Sequence, residues 1–394
     1  MQSVRLKKDE ERRLKQGHLW IFSNEINTQE TPLNNFEAGE SVIVEASNGK
    51  PLGVGYINPN ALICVRLVNR DVNYPLSKSL LVHRFKQALS LRERVFAEPF
   101  YRLVHGEGDF LPGLIVDRFN DVFSVQITTA GMERHKNDVI EALEKVFHPA
   151  GIVFRNDCAS RAAEMLPNEI EIVGDVPDYV PLMENGVQFE APVKDGQKTG
   201  WFYDHRMSRE RLQHYVEGKR VLDVFSYIGG WGIQAAVAGA SEVYCTDASE
   251  FALDGVMRNA ELNGVIDKMV AVEGNAFDVL TELRNQREQF DVVICDPPAF
   301  IKRKKDFKNG KEAYRRINQL AMRLLGADGI LISASCSHHM PRDTLLQTLN
   351  QSARHIDRTI QMIEEGHQGP DHPVNPAIPE TLYLKTFFTR VYRG

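Results

Sequence analysis

The feature that most constrains the fold is an alternation of short apolar runs with longer segments of helical period, which begins near residue 185. Five runs of this kind follow one another along the chain: VLDVFS, EVYCTD, MVAVEG, DVVICD and GILISAS. Such alternation is typical of an α/β protein with a parallel sheet and helices on both faces. Two later strand-like runs, RTIQMIEEG and TLYLKTFFTRV, bring the expected doubly wound sheet to seven strands.

The chain before this region has a different pattern. The runs SVIVEA, PLGVGYI and ALICVRLV, with Asn48-Gly49 as a hairpin signal, predict a β-rich module over residues 1–70. A helical segment KSLLVHRFKQALSLRERVF, strands broken by turns up to Gly131, a helix over 133–147 and a strand at GIVFR predict a central α+β domain over residues 71–184. Because 394 residues exceed the usual size of one core, length predicts two or three domains. The changes of pattern indicate three, the last covering residues 185–394.

Composition and charge narrow the class of protein. The start of the chain lacks an apolar signal segment and no run of about 18 apolar residues occurs, so we expect a cytoplasmic protein without a membrane span. Five scattered cysteines without metal-ligand spacing predict reduced thiols and no metal site. The formal net charge is −6, yet residues 1–20 hold six Lys/Arg against three Asp/Glu and residues 301–316 hold eight against two. Each basic run is either a solvated face or a contact for phosphates.

A glycine-rich turn, DVFSYIGGWG, follows the first strand of the expected sheet. Gly229, Gly230 and Gly232 do not have the G-x-G-x-x-G spacing by which a helix N-terminus receives a pyrophosphate. Asp223 precedes the turn, and a carboxylate there suits the ammonium group of S-adenosyl-L-methionine, whose amino acid end carries no phosphate. Asp247 ends the second strand, where a carboxylate can accept both ribose hydroxyls.

The third strand ends in Gly274-Asn275-Ala276, which is expected near the adenine edge. Taken singly, the glycines could serve a tight turn and the aspartates could cap helices. Taken together, the spacing of acidic residue, glycine-rich turn and second acidic residue resembles the class I S-adenosylmethionine-dependent methyltransferases. Asn275 stands where that superfamily often has Asp, and an amide offers adenine a different pattern of donor and acceptor.

The fourth strand ends in the sequence CDPPAF. Asp296-Pro297-Pro298 predicts a rigid loop because both prolines fix φ, and such a loop can aim a carboxylate and a carbonyl at a flat ring. The alternative is an ordinary turn after a buried strand. Amino-directed methyltransferases commonly carry Asn or Asp, two prolines and an aromatic residue, whereas here Ala299 precedes Phe300.

The fifth strand runs into Cys336, followed by His338 and His339. A cysteine at this place is either a small buried hydrophobe or a nucleophile. Carbon 5 of a pyrimidine is a poor nucleophile, and addition of a thiolate to carbon 6 gives it carbanion character. Cys336, beside the expected cofactor cleft and Asp296, is therefore the candidate nucleophile, and the two histidines could tune its thiol.

At this point the whole chain resembles the bacterial ribosomal RNA large-subunit methyltransferase I family. The motifs that carry the resemblance are RLKKDEERRLKQGHLWIFSNEI, KTGWFYDHR, DVFSYIGGWG, CDPPAF, SASCS and DHPVNPAIPETLYLK. The resemblance implies an N-terminal PUA domain that binds RNA, a central α+β domain and a Rossmann-like methyltransferase domain that makes 5-methylcytosine in large-subunit ribosomal RNA. It implies Cys336 as nucleophile and Asp296 as a contact to the target base. It also implies that Thr199, Asp204 and Arg206 help to shape the cofactor pocket.

The expected site thus has three parts. Cys336 and Asp296 are the expected catalytic pair. The expected cofactor contacts are Thr199, Asp204, Arg206, Asp223, Ser226, Tyr227, Gly229, Gly230, Asp247, Asn275, Ala276 and Asp296. The expected substrate contacts are Pro297, Pro298, Phe300, Lys302 and Arg303.

Other functions stay open at this stage. Transfer to carbon 5 of uracil or to an exocyclic amine of RNA would use the same Asp-Pro-Pro turn, although amine transfer needs no thiol. A non-catalytic RNA-binding assembly factor could retain the fold, but Asp223, Asp247 and Asp296 argue against it. The sequence does not decide which nucleotide is modified, whether the substrate is free RNA or a ribosomal particle, or whether the chain forms a homodimer.

Overall fold

The computed structural model describes residues 1–393, which form two compact units. The first unit comprises Met1–Val180, Ala191–Tyr203 and Pro370–Thr381. The second comprises Pro181–Glu190, Asp204–Gly369 and the residues from Leu382 onward. The chain therefore passes between the units several times, and the domain boundaries expected at residues 70 and 184 stay predictions.

The first unit begins with a five-stranded sheet. Its elements are β1 (Gln2–Arg5), α1 (Glu11–Lys15), β2 (Trp20–Phe22), β3 (Glu40–Glu45), β4 (Pro51–Ile57) and β5 (Ile63–Asn69). The strand order is β1-β3-β4-β5-β2, with β1 parallel to β3 and the other neighbours antiparallel. The hairpin predicted at Asn48-Gly49 is confirmed, because β3 pairs with β4 and Gly49 takes the left-handed conformation with φ 83°.

A second five-stranded sheet completes the first unit. Its elements are α2 (Lys78–Val95), β6 (Phe100–His105), β7 (Leu114–Phe119), β8 (Val122–Ile127), α3 (Ala130–Arg134), α4 (Lys136–Phe147), β9 (Gly151–Asn156) and β10 (Glu169–Gly174). The strand order is β10-β9-β8-β7-β6, and only β8 and β9 are parallel among these neighbours. The helix predicted over 133–147 is interrupted at His135, which leaves the helical backbone (ψ 17°) between α3 and α4.

The second unit contains the seven-stranded sheet. Its chain begins within the hairpin β11 (Val180–Glu184) and β12 (Val187–Ala191). The remaining elements are α5 (Arg206–Leu212), β13 (Arg220–Val224), α6 (Gly230–Val237), β14 (Glu242–Asp247), α7 (Glu250–Leu262), β15 (Met269–Glu273), α8 (Ala276–Asn285), β16 (Phe290–Cys295), α9 (Phe307–Leu324), β17 (Leu325–Ser335), α10 (Arg342–Arg354), β18 (Thr359–Gly366) and β19 (Lys385–Tyr392).

The order of this sheet, β15-β14-β13-β16-β17-β19-β18, confirms the predicted doubly wound arrangement. The strands β13 to β17 are parallel, and the order reverses beside β13, where a doubly wound sheet opens a crevice at its carboxyl edge. The last strand, β19, is antiparallel to both β17 and β18. Among the described residues, no helix is long and apolar enough to cross a membrane.

Candidate active site

The loop between β13 and α6 has an unusual backbone. Phe225 and Tyr227 are non-glycine residues with φ of 67° and 49°, and Gly229 follows with φ 85°. The amides of Phe225 and Ser226 both donate to the carbonyl of Thr246, each at 3.0 Å, and so tie the loop to the end of β14. Left-handed conformations at large residues are uncommon and cluster at ligand-binding turns, so the backbone indicates a functional loop.

Asp223 lies fully buried beneath this loop. Its Oδ2 accepts a hydrogen bond of 2.9 Å from the amide of Gly232, while its Oδ1 is buried and has no hydrogen-bond partner among the described residues. Burial, followed by repulsion from Asp296 and Asp247, raises the pKa of Asp223 to about 8, against the opposing bond from Gly232. A buried carboxylate oxygen that the protein does not satisfy fits a cationic ligand group.

Glycine is required at position 232 by the packing around Asp223. A Cβ atom there would lie 2.4 Å from Cys245 Sγ and 3.2 Å from Asp223 Oδ2. The start of α6 can therefore approach the end of β13 only without a side chain. Gly230, the first residue of α6, is buried in the same turn. The predicted glycine-rich turn thus brings the helix N-terminus close to the Asp223 carboxylate.

Asp247 ends β14 and connects two neighbouring loops. Its Oδ2 accepts from the amide of Tyr227 at 3.0 Å, and its Oδ1 accepts from the amide of Ser249 at 3.1 Å. Its backbone carbonyl accepts from the amide of Gly274 at 3.0 Å. A carboxylate has about four acceptor positions, so Asp247 keeps capacity for ligand hydroxyls.

Asn275 is exposed at the end of the next strand and caps helix α8. Its side-chain oxygen accepts from the amide of Phe277 at 3.0 Å, and Ala276 is buried behind it. The capping bond occupies the carbonyl end of the side chain and leaves the amide NH2 as the polar group for a ligand. The carboxyl ends of β13, β14 and β15 therefore present a continuous polar edge.

Asp296 follows β16 and is held by two residues that the sequence analysis did not single out. Its Oδ2 lies 3.1 Å from His205 Nε2 and accepts a hydrogen bond of 3.2 Å from Trp231 Nε1. Burial alone would lower the pKa of His205, but the carboxylates of Asp296 and Asp204 outweigh it and raise that pKa above its ordinary value. The only signal for these residues was their place in the motifs KTGWFYDHR and DVFSYIGGWG.

The Asp-Pro-Pro loop continues into a group of aromatic rings. Pro297 is buried and Pro298 is exposed. The ring centroid of Phe300 lies 4.9 Å from that of Tyr314 and 6.3 Å from that of Phe225. These contacts anchor the loop after Asp296, and a substrate contact of Phe300 or the two prolines stays a prediction.

The basic run begins directly after this loop. Lys302 and Arg303 are exposed, and Arg303 Nε pairs with Asp306 Oδ2 at 3.1 Å. An exposed ion pair of this kind contributes little stability. The role of the run as a phosphate contact stays a prediction.

Cys336 directly follows β17 and is half-buried, whereas Cys295 is fully buried in β16. Burial, together with Asp296 and Asp223, raises the pKa of Cys295, which argues against that thiol as the nucleophile. Strands β16 and β17 are parallel neighbours with Cys295 opposite Ser333, so Asp296 and Cys336 follow the ends of adjacent strands. Cys336 and Asp296 therefore share one region of the sheet edge.

Lys385 is a further residue of this region that the sequence analysis did not identify. It pairs with Ser335 in the β17–β19 ladder, and its Nζ donates to the carbonyl of Ser337 at 2.7 Å. Burial lowers the pKa of Lys385 to about 8, with Cys336 acting in the opposite direction. The side chain thus places a cation next to Cys336, and its only sequence signal was the motif ending in TLYLK.

The residues of the motif KTGWFYDHR have protein partners of their own. In the first unit, Thr199 Oγ1 donates to Asp117 Oδ2 at 2.6 Å. In the second unit, Asp204 Oδ2 accepts from the Tyr383 hydroxyl at 2.6 Å.

Arg206 belongs to a buried cluster in the second unit. Its Nε lies 3.6 Å from Glu184 Oε2, and Glu184 also pairs with Arg209 at 2.6 Å. A buried carboxylate between two guanidinium groups is a structural arrangement. A cofactor role for Thr199, Asp204 and Arg206 stays a prediction.

The sheet, the glycine-rich loop and the unsatisfied carboxylate together define the class of protein. Residues 161–385 match the S-adenosylmethionine-dependent methyltransferase family, and residues 4–70 match the PUA-like domain family. The protein is therefore an S-adenosylmethionine-dependent methyltransferase with a PUA-like N-terminal domain. Its cofactor is S-adenosylmethionine, as predicted.

Full-length relatives define the particular family. The chain is 37% identical to a protein of Aliivibrio fischeri (strain MJ11) named Ribosomal RNA large subunit methyltransferase I, over 99% of both chains. It is 36% identical to the protein of that name from Klebsiella pneumoniae (strain 342), over 98% of this chain and 97% of that one. It is 35% identical to that of Escherichia coli (strain UTI89 / UPEC), over 99% of this chain and 100% of that one. The chain belongs to the ribosomal RNA large subunit methyltransferase I family.

Solved structures agree with the fold. The methyltransferase SMU.776, solved as a complex with SAH, is similar with a TM-score of 0.85 over 99% of this chain and 100% of that one, at 20% identity. A SAM-dependent methyltransferase from Streptococcus mutans gives a TM-score of 0.83 with the same identity and coverage. At this identity, the likeness establishes the shared fold.

Proposed function

We propose that the protein transfers a methyl group from S-adenosylmethionine to carbon 5 of a cytosine in large-subunit ribosomal RNA, through a covalent adduct of Cys336. The observation that carries this proposal is the half-buried Cys336 thiol between Ser335, which pairs with Lys385, and Ser337, whose carbonyl accepts from Lys385 Nζ at 2.7 Å, on the sheet edge that also presents Asp296. The names of the full-length relatives support ribosomal RNA as the substrate. A methyltransferase acting on an amine would have no use for such a thiol.

The residues at the ends of β13 to β15 are proposed to hold the cofactor. The buried Oδ1 of Asp223 would accept from its ammonium group, Asp247 from its ribose hydroxyls, and the Asn275 side chain would meet the adenine. Ser226, Tyr227 and Gly229 shape the loop around these groups. When bound, the cofactor supplies an electrophilic methyl group at this edge.

The first chemical step needs the thiolate of Cys336. An adjacent cation favours the ionised form of a cysteine, and Lys385 is that cation. The thiolate then forms a bond from sulfur to carbon 6, and the electron pair of the double bond between carbons 5 and 6 moves to carbon 5. Carbon 5, activated in this way, would accept the methyl group as the methyl–sulfur bond of the cofactor breaks, with S-adenosylhomocysteine as the leaving group.

The second step releases the product. A water molecule removes the proton of carbon 5, the C–H pair restores the double bond, and the bond from Cys336 to carbon 6 breaks. Asp296 is proposed to hold the cytosine by accepting hydrogen bonds from the amino group and from the protonated ring nitrogen of the base. Because His205 and Trp231 both contact Oδ2, they fix the orientation of this carboxylate during both steps.

The experiment that tests the mechanism uses RNA with 5-fluorocytosine at the target position. Fluorine replaces the proton that must leave, so the wild-type enzyme should be trapped as a covalent complex. Cys336→Ala should lose both the complex and methyl transfer, with cofactor affinity nearly unchanged. Cys158→Ala, which removes the other half-buried thiol, should behave as wild type. Mass spectrometry of digested RNA separates 5-methylcytidine from 5-methyluridine and from amine-methylated products.

Methylation of cytosine carbon 5 by Cys336→Ala at the wild-type rate would contradict the adduct. Cys336 would then be a structural cysteine. A product methylated on an amine or on uracil would instead contradict the assignment of the acceptor atom.

A further inference from the structure

Cys336 is flanked by two serines whose side chains the proposed chemistry does not use. Strand β17 pairs with β16 as far as Ser333, opposite Cys295, and with β19 as far as Ser335. Cys336 therefore lies one residue beyond the last paired position of its strand. The position of its thiol relative to Asp296 depends on contacts outside the sheet.

The two serines form a tight turn with Cys336 at its centre. Ser335 and Ser337 are both buried, whereas Cys336 between them is half-buried. The Oγ of Ser335 accepts a hydrogen bond of 3.2 Å from the amide of Ser337. A bond from a serine hydroxyl to the amide two residues further on defines a local turn of the backbone. The turn therefore buries both neighbours of Cys336 and leaves part of Cys336 itself accessible.

The hydroxyl of Ser335 connects this turn to helix α9. It donates to the Tyr314 hydroxyl at 2.8 Å, and Tyr314 is fully buried. The ring of Tyr314 meets that of Phe300, with centroids 4.9 Å apart. Because Phe300 follows Asp296 by four residues, Tyr314 contacts both the turn around Cys336 and the loop after Asp296.

Ser337 bonds directly to that loop. Its Oγ donates to the backbone carbonyl of Ile301 at 2.7 Å, and both residues are buried. Its own backbone carbonyl accepts from Lys385 Nζ at 2.7 Å. The side chain of Ser337 thus joins the turn to the loop after Asp296, and its carbonyl joins the turn to the proposed cation.

The loop after Asp296 can reach Ser337 because α9 lacks a side chain where the loop crosses it. A Cβ atom at Gly310 would lie 2.3 Å from Ile301 Cγ1 and 2.8 Å from the carbonyl oxygen of Phe300. Glycine is used where two parts of the backbone approach this closely. The packing of the loop on α9 therefore keeps the Ile301 carbonyl in reach of the Ser337 hydroxyl.

These buried hydrogen bonds join two loops that carry different parts of the proposed reaction. We propose that Ser337 and Tyr314 are positioning residues for the Cys336 thiol. They hold the thiol in line with carbon 6 while Asp296 holds the same base. This inference rests on the proposed adduct and names the residues that align it. Alignment matters because a misplacement of about 1 Å can lower a rate by about 100-fold.

The test compares two reactions of Cys336 in the full-length protein. The covalent complex with 5-fluorocytosine RNA requires a thiol aligned with a bound base, whereas alkylation by iodoacetamide requires only an ionised, accessible thiol. Ser337→Ala keeps the carbonyl that accepts from Lys385 and removes the hydroxyl that donates to Ile301. At saturating RNA and S-adenosylmethionine, it should form the complex about 10- to 100-fold more slowly than wild type. Mass spectrometry of the Cys336 peptide should show alkylation at the wild-type rate.

Two further variants complete the comparison. Tyr314→Phe keeps the ring against Phe300 and removes only the hydroxyl, so it should show the same selective loss. Ser333→Ala is the matched control, because it removes a hydroxyl that is fully buried in β17 and has no hydrogen-bond partner among the described residues. It should form the complex as fast as wild type. Thermal unfolding and calorimetric binding of S-adenosylmethionine check that each variant is folded.

The outcomes separate this inference from the proposed function. If wild type forms the complex and Ser337→Ala forms it equally fast, the positioning role is overturned and the adduct mechanism stands. If alkylation slows as much as complex formation, Ser337 acts on ionisation of the thiol, and the positioning role is again overturned. An equal loss in Ser333→Ala would trace the effect to packing of β17 and overturn it too. If wild type forms no complex, the proposed function fails and this inference fails with it.

Discussion

The buried carboxyl of Asp223 should make cofactor binding release a proton. Its pKa of about 8 means that the carboxyl is mostly protonated at pH 7 in the free protein, because burial and two neighbouring carboxylates disfavour the charge. The ammonium group of the cofactor favours the ionised form, so that pKa falls on binding. We therefore predict that affinity rises with pH between about 5.5 and 7.5.

The size of the effect follows from that pKa. Each pH unit below 8 costs about 1.4 kcal/mol to ionise the carboxyl, which is about tenfold in affinity. At pH 7, about 0.9 proton should leave for each cofactor molecule that binds. In the folded protein without cofactor, the pKa of Asp223 is also well above the ordinary value of 3.8, so the folded state binds this proton more tightly than the unfolded chain does. The contribution of Asp223 to stability therefore falls as pH rises from about 4 to about 8.

Isothermal titration calorimetry at pH 7 in phosphate and in Tris measures this release directly, because the two buffers have different ionisation enthalpies. The observed enthalpy should differ between them in wild type and agree in Asp223→Asn. Asp247→Asn should bind more weakly yet keep the release. His205→Gln, which removes a different group whose pKa is shifted and which contacts Asp296, should keep the release too. Equal enthalpies in both buffers for wild type would refute the assignment of Asp223 to the ammonium group.

Two further predictions concern the acceptor side. Lys385→Met should raise the pKa of the Cys336 thiol and slow its alkylation by iodoacetamide at pH 7 about tenfold. Lys385→Arg should largely retain the wild-type rate. Equal labelling rates in all three proteins would exclude Lys385 as the cation that favours the thiolate. Replacing Lys302 and Arg303 by glutamine should lower the salt slope of RNA binding by about 0.7 to 0.9 for each lost phosphate contact, without changing cofactor affinity. An unchanged slope would show that this run is only a solvated face.

The strands could be predicted because their apolar runs are short and clearly bounded. All seven runs from VLDVFS to TLYLKTFFTRV became strands of one sheet, although the last of them, β19, is antiparallel to both of its neighbours. The prediction of one helix over 133–147 was less exact, because hydrophobic periodicity does not show that a single residue, here His135, has a non-helical backbone conformation. Hydrophobic pattern thus located the elements better than their interruptions.

The carboxylates of the candidate site could be anticipated for a geometric reason. Parallel strands end at the same edge of a sheet, so residues at the ends of β13, β14 and β16 must come near one another. Burial raises the pKa of Asp223 most, and the carboxylates of Asp296 and Asp247 raise it further, which agrees with this expectation. By contrast, His205 and Trp231 reach Asp296 from other elements, and no local pattern in the sequence shows that contact.

The sequence does not indicate a role for Lys385, because the position of this residue depends on the direction of one strand. In a parallel strand, the first residue would lie at the opposite edge from the ends of β16 and β17. Since β19 is antiparallel to β17, its first residue instead lies opposite Ser335, next to Cys336. The other strands bring carboxylates to this edge; at Cys295, burial and then Asp296 and Asp223 raise the pKa of the thiol. The reversed strand places Lys385 at the same edge, and we therefore propose that it is the cation that favours the Cys336 thiolate.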